Sequence, residues 1–254
     1  MHTRYCHHAT GTMEEYVLSA IKKGFDHIVF LEHMEGTGVN YFETTWLTDK
    51  DFDDYFEEGE KLKEKYSNRL NIGLGVEVGY NAAQRQELQD RLLRRSWDQI
   101  GISYHFMPVL GQSFDLNLVS RKAKNILAIA ETGCGSILSD YFDTLIEAAR
   151  VLPGTVLCHM DAALRFQPGL QLMPSHWQQI EELLDTVKEQ DMALEINTSG
   201  FAIRGTPFPA PAIIQMAISR KIPLVAGSDA HKPEDVGRYF HKIPELLDHL
   251  STIR

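Results

Sequence analysis

The chain has 254 residues, 43% hydrophobic and 24% charged, with a formal net charge of −10 and a pI of about 5.5. Those proportions suit an ordinary globular protein. The acidic balance argues against nucleic acid as main partner, because phosphate backbones recruit Lys- and Arg-rich surfaces. A small phosphorylated substrate met by one or two arginines stays open. Three cysteines, Cys6, Cys134 and Cys158, are too few for a disulfide framework and point to a reducing compartment. No apolar run approaches the roughly 20 residues of a membrane span, and no signal peptide is recognisable. The expectation is a cytoplasmic protein with no membrane partner, of undetermined oligomeric state.

Along the chain, Thr12 and Glu15 form a capping-box pattern that opens a helix stopped by Gly24. The apolar run "HIVFL" is followed by Glu32 and His33, and a charged helix is expected from about Asp49 to Tyr66. "NIGLGVEVGY" reads as a buried strand ending near Glu77, "AAQRQELQDRLLRR" as a helix, and "DQIGISYH" as a strand ending near His105. Residues 106–118 read as loop, and two helical stretches fill about 120–151. "TVLCHMD" is a strand running into His159, and Pro174 opens a helix to about Gln190. "MALEIN" is a strand, Pro209 or Pro211 opens the next helix, "IPLVAGSDAH" is a strand running into Asp229 and His231, and a last helix begins near Pro244. About six strands alternate with helices without a linker, so one α/β domain spanning 1–254 with a mainly parallel sheet is expected.

His33, Glu77, His105, His159, Asp229 and His231 all fall at or just past the carboxyl end of an expected strand. In a (β/α) barrel those ends converge on the face that carries the site. The opening "MHTRYCHHA" adds His2 and His8. Imidazole with carboxylate suits zinc, manganese or iron. Eight candidate ligands exceed the needs of one zinc, so a cluster of two or three divalent ions is the economical reading. Such clusters clamp the attacking and leaving oxygens of an in-line displacement. His7, His27, His176, His241 and His249 are read as surface or interface histidines, and Cys6 as a buried structural thiol.

"HTRYCHHA", the "EH" after the first apolar strand, "GVEVGY", "SYHF", "CHMD", "LEINTSGF" and "GSDAHKPEDVG" together resemble the polymerase and histidinol phosphatase (PHP) family, in its monofunctional histidinol-phosphatase branch. The resemblance covers essentially the whole chain. It implies a distorted (β/α)7 barrel with a metal site at the C-terminal ends of the strands. It also implies residue roles. Glu77 bridges two ions, His2 and Asp229 ligate the first, His105 and His159 the second, and His8, His33 and His231 the third. The implied reaction is hydrolysis of L-histidinol phosphate, in histidine biosynthesis, by a metal-bridged hydroxide, with Glu77 and Asp229 as the catalytic residues. Arg165, shortly after the His159 strand end, and Arg204, in the loop after "INTSG", are the candidates for the phosphate. Asp161 is a further candidate proton donor, and Phe106, Asp115 and Phe201 are possible pocket linings.

One departure is visible. The family motif His-x-His places its first histidine immediately before Met1, and the strand expected to carry it is missing. A start upstream of Met1, a natural protein with a weakened first metal site, and substitution by the α-amino group of Met1 are the three explanations. Rival functions are another PHP phosphatase acting on nucleotides or other small phosphoesters, an amidohydrolase, and a metal-binding protein with weak or no catalysis. The amidohydrolase is disfavoured because no lysine sits at a strand end.

Overall fold

The computed structural model describes residues 1–167 and 169–252. Helix α1 (Met13–Lys22) opens on the expected capping box: the Thr12 side chain accepts from Glu15 N, and the Glu15 carboxylate accepts from Thr12 N. Strand β1 (His27–Glu35) runs past the apolar "HIVFL" and carries His33 within it. A second capping box, Thr48 with Asp51, starts α2 (Asp49–Tyr66), which buries Phe52, Tyr55, Leu62 and Tyr66. Tyr55 keeps its hydroxyl satisfied in the core by donating to the carbonyl of Gly75 at 3.0 Å. Strand β2 (Asn71–Gly79) is buried at every residue after the first. Both faces of this strand are covered, which is why its sequence reads as a continuous apolar run rather than an alternation.

Helix α3 (Arg85–Leu93) leads to β3 (Ile100–Ser103), β4 (Phe106–Met107) and β5 (Leu116–Asn117). Two outer helices follow, α4 (Ala123–Thr132) and α5 (Cys134–Val151), before the short β6 (Val156–Leu157). Then come α6 (Pro174–Glu189), β7 (Ala193–Asn197), α7 (Gly200–Arg204), α8 (Pro211–Ser219), β8 (Leu224–Gly227) and α9 (Ile243–Thr252).

Six strands form one sheet in the order β1-β2-β3-β6-β7-β8, every pair parallel. The sheet curls into a half-barrel with helices outside it. Among the described residues no ladder joins β8 back to β1. The register of β1 on β2 sets His33 opposite Glu77 and Glu35 opposite Gly79. The candidate residues His33 and Glu77 are therefore neighbours across a strand pair.

Three sequence expectations need correcting. Residues 106–118 are more than loop: β4 and β5 form an antiparallel ribbon pairing Phe106 with Asn117 and Met107 with Leu116. Those residues are buried or nearly so, and buried backbone groups require partners. The segment after "INTSG" is helical, as α7. His176 is not a surface residue but fully buried at the start of α6, where Nδ1 accepts from Met173 N at 3.1 Å and Nε2 faces the carbonyl of Gly135 at 3.1 Å. With Pro174 at the first helical turn, the imidazole caps a backbone donor that the helix cannot satisfy itself.

Candidate metal centre

The N-terminal stretch is tied down by its backbone. Leu31 N donates to the carbonyl of Met1 at 2.9 Å, and His2 N donates to the carbonyl of Ala230 at 2.9 Å. Met1 and His2 thus bridge β1 and the segment after β8. Thr3 donates both its backbone N, at 2.7 Å, and its hydroxyl, at 2.6 Å, to the buried Glu32 carboxylate. Thr10 N donates to the carbonyl of His231 at 2.9 Å. A chain end that ordinarily frays is fixed here by main-chain bonds, so His2 and His8 have defined positions.

Glu77 is the hub. Its Oε1 lies 2.9 Å from His159 Nε2 and 3.0 Å from His105 Nε2, and its Oε2 lies 3.3 Å from His2 Nε2. His2 Nε2 is also 3.4 Å from Asp229 Oδ1, and that same oxygen is 3.5 Å from His231 Nδ1. His231 Nε2 meets His8 Nε2 at 2.8 Å. The His33 ring stacks on His2 with centroids 4.0 Å apart and meets the edge of His105 at 5.2 Å. All eight side chains singled out from the sequence, His2, His8, His33, Glu77, His105, His159, Asp229 and His231, converge at the carboxyl ends of the strands.

The electrostatics follow from the crowding. Burial would raise the Glu77 carboxyl, but the imidazoles around it, His159 and His33 foremost, hold it well below the usual carboxylate range. Burial opposes ionisation of Asp229 too and is overcome chiefly by His2 and His231. Burial, then mutual repulsion among the rings, pushes His8 down to about 3 and His231 to about 4, and His33 well below its ordinary value. Burial works against the charged form of His105 as well, yet hydrogen bonds to Glu35 and Glu77 raise it to about 10.

This donor set fits divalent metal. Ionised carboxylates and neutral imidazoles are the ligand forms, and the mixture suits zinc, manganese or iron. The nitrogen pair of His8 and His231 stands in direct opposition. Nδ1 of His2, His33 and His159 are buried without a hydrogen-bond partner among the described residues. The donor atoms of His33, Glu77 and His105 lie within 4.8 Å of one another, as do those of His2, Cys6, His33 and His231. Cys6 is fully buried, and burial together with the nearby Glu32 carboxylate pushes its thiol well up, into its protonated form.

The two arginines differ. Arg165 is half-buried and lies within electrostatic reach of Asp229 and Glu77. Its Nε donates weakly to the carbonyl of Val119 at 3.4 Å, and its terminal nitrogens have no hydrogen-bond partner among the described residues. Arg204 is tied up: it donates to both Asp161 carboxylate oxygens, at 3.1 and 3.0 Å, and to the carbonyl of Pro207, and its guanidinium lies 4.1 Å from the Phe208 ring centre. Asp161 also accepts from Ala210 N at 2.8 Å, so its oxygens are occupied structurally. Asn197 and Thr198, read as loop caps or pocket linings, make local bonds: Asn197 Oδ1 accepts from Ser199 N, and the Thr198 hydroxyl donates to the carbonyl of Arg238.

Three supporting residues escaped the sequence reading. Glu35 accepts from His105 Nδ1. Glu195 accepts from the backbone N of His159 at 2.9 Å. Arg238 donates to the carbonyls of Ser228, at 2.8 Å, and Asp229, at 3.0 Å. The last two matter because His159 and Asp229 adopt positive φ, 25° and 46°, a region costly for residues with a side chain. Glu35 had a legible signal: it lies two residues beyond His33 on one strand, hence on the same face. Glu195 and Arg238 had none.

Comparison with known proteins agrees with this geometry. Residues 1–199 match the PHP domain family and residues 212–250 the PHP-associated family. A probable histidinol-phosphatase of Deinococcus radiodurans is 28% identical over 251 residues, covering 98% of this chain and 91% of that one. The crystal structure of hisK from Listeria monocytogenes superposes with a TM-score of 0.81 at 24% identity, covering 95% of this chain and 97% of that one. A histidinol phosphate phosphatase of Lactococcus lactis, solved with zinc, L-histidinol and phosphate, superposes with a TM-score of 0.75 at 17% identity, covering 98% and 91%. The PHP domain match covers residues 1–199 of 254, and the chain belongs to the PHP domain family.

Proposed function

We propose that this chain is a metal-dependent phosphoesterase that hydrolyses L-histidinol phosphate to L-histidinol and phosphate. The observation that carries the reading is Glu77, a single buried carboxylate with His2, His105 and His159 within 3.3 Å of it. His2, Glu77, His105, His159 and Asp229, with His8, His33 and His231 beside them, are the residues that would hold two or three zinc, manganese or iron ions. Such ions activate water near neutral pH and offset charge on phosphoryl oxygens. The chain itself supplies the rest. Arg165 presents its two terminal guanidinium nitrogens, which have no hydrogen-bond partner among the described residues, to the phosphoryl group, where charge-assisted bonds are strongest. Glu77 and Asp229 stay ionised without a lysine nearby because the imidazoles compensate them. The substrate class rests on the relatives named above.

The chain is read as one domain. β8 lies in the second matched region yet pairs with β7 in the first, at Glu195↔Val225 and its neighbours. Asp229 and His231 come from the second region, and the His2 and His8 that they meet come from the first. A groove of about 320 Å³ separates β8 from β1, lined by Met1, Val29, Leu31, Val225, Ala226 and Phe240 among others. Met1 lines it and accepts from Leu31 N of β1 at 2.9 Å, and among the described residues β8 has no strand partner on that side.

The test is phosphate release from histidinol phosphate and from nucleoside monophosphates, with zinc or manganese added back to the chelated protein. Histidinol phosphate is expected to be preferred. Glu77→Gln is expected to lose bound metal and to lower turnover on the order of 10³-fold, the scale seen when a principal charge-stabilising group is removed. Equal rates on nucleotides would overturn the substrate, and full activity in Glu77→Gln would overturn the centre.

No helix among the described residues is long and apolar enough to cross a membrane.

A further inference from the structure

Glu35 is outside the candidate ligand set, yet its side chain is only 2% exposed, at the end of β1. Its Oε1 is 2.8 Å from His105 Nδ1, while Nε2 of the same ring is 3.0 Å from Glu77 Oε1. The two nitrogens of His105 are thereby divided between an outer carboxylate and the centre. A carboxylate only accepts, so Nδ1 carries a proton toward Glu35; in the neutral form in which an imidazole ligates metal, that leaves the lone pair on Nε2. Among the described residues, Nδ1 of His2, His33 and His159 have no such partner.

The local fold makes room for this arrangement. Register places Glu35 beside Gly79, where an added Cβ would stand 2.0 Å from both carboxylate oxygens. Any side chain at residue 79 would push the carboxylate off His105. Arg91, itself buried, donates from Nη1 to the Glu35 carbonyl at 2.7 Å and fixes the backbone end. Carboxylates behind metal-bound imidazoles set the ring orientation and the tautomer.

We infer that Glu35 is a positioning residue of the metal centre, its carboxylate holding the proton on His105 Nδ1 and turning Nε2 toward Glu77. The inference rests on the metal-dependent reading above. The full chain, stripped of metal, is titrated with zinc against a chromogenic chelator, and the His105 tautomer is read from the nitrogen shifts of ¹⁵N-labelled histidine. Glu35→Ala is expected to weaken zinc binding about 10- to 100-fold and to mix the His105 tautomers. Glu35→Gln, which can still accept through Oε1, is expected to recover part of both. Gly79→Ala, which keeps Glu35 but takes its space, is expected to behave like Glu35→Ala. Wild-type zinc affinity in Glu35→Ala, or an unchanged tautomer in all three variants, overturns the inference. If Glu35→Ala does not fold, Glu35→Gln and Gly79→Ala decide by the same readouts. A wild-type chain that binds no zinc overturns the proposed function and this inference with it, whereas zinc binding that Glu77→Gln abolishes and Glu35→Ala spares overturns this inference alone.

Discussion

The Nε2 atoms of His8 and His231 stand 2.8 Å apart at the mouth of the half-barrel, although 223 residues separate them in the chain. With both rings pushed toward the neutral form, two lone pairs cannot share that space, so either one nitrogen carries a proton or a cation takes its place. His8→Ala and His231→Ala are therefore expected to lose the same ion. Metal content by mass spectrometry should fall equally in each single variant. The double variant should fall no further, a non-additivity characteristic of groups that share one partner. Additive losses would show two separate sites.

Arg165 and Arg204 should separate in kinetics and stability. Arg165→Ala removes a guanidinium with unbound terminal nitrogens, and kcat/KM should drop on the order of 10²-fold with little change in melting temperature. Arg204→Ala leaves Asp161, whose side chain is 6% exposed, without its partner. Breaking a buried pair from one side costs about 3–5 kcal/mol. Because the Arg204 side chain is 29% exposed, the low end is expected, read as a shift in denaturant midpoint. The reverse pattern would exchange the two roles.

The groove between β8 and β1 predicts the effect of an added strand. A variant carrying an extended, alternately apolar segment before Met1, with histidine directly preceding it, should bind more metal than the 254-residue chain. It should also melt higher, because pairing satisfies edge groups that otherwise face water. The same extension with alanine in place of that histidine should keep the gain in melting temperature and lose the gain in metal. Melting curves beside metal content separate the two contributions. An extension that raises neither shows that the groove does not take a strand.

Much of the fold is legible in local chemistry. The capping box at Thr12 and Glu15 fixes where α1 starts, because the bonds involved span only three residues. Pro174 opens α6, and of the two prolines considered for α8 it is Pro211 that sits in its first turn. The six strands of the main sheet stand where the apolar runs are. The β4–β5 ribbon was not legible, since two-residue strands carry no period. The burial of His176 was not legible either, because its acceptor and donor partners come from Met173 and from Gly135, 41 residues away.

Sequence alone determined which side chains are candidates for the centre and that they lie at strand ends, because apolar periodicity and residue type are local properties of the chain. Only the tertiary structure decided how they are oriented. The pairing of β1 with β2 puts Glu35 over Gly79 and behind His105, Asp161 claims Arg204 but not Arg165, and main-chain bonds to β1 and to the segment after β8 hold Met1 and His2 in place. Each of those outcomes depends on groups distant in sequence meeting at hydrogen-bond range, which no periodicity encodes.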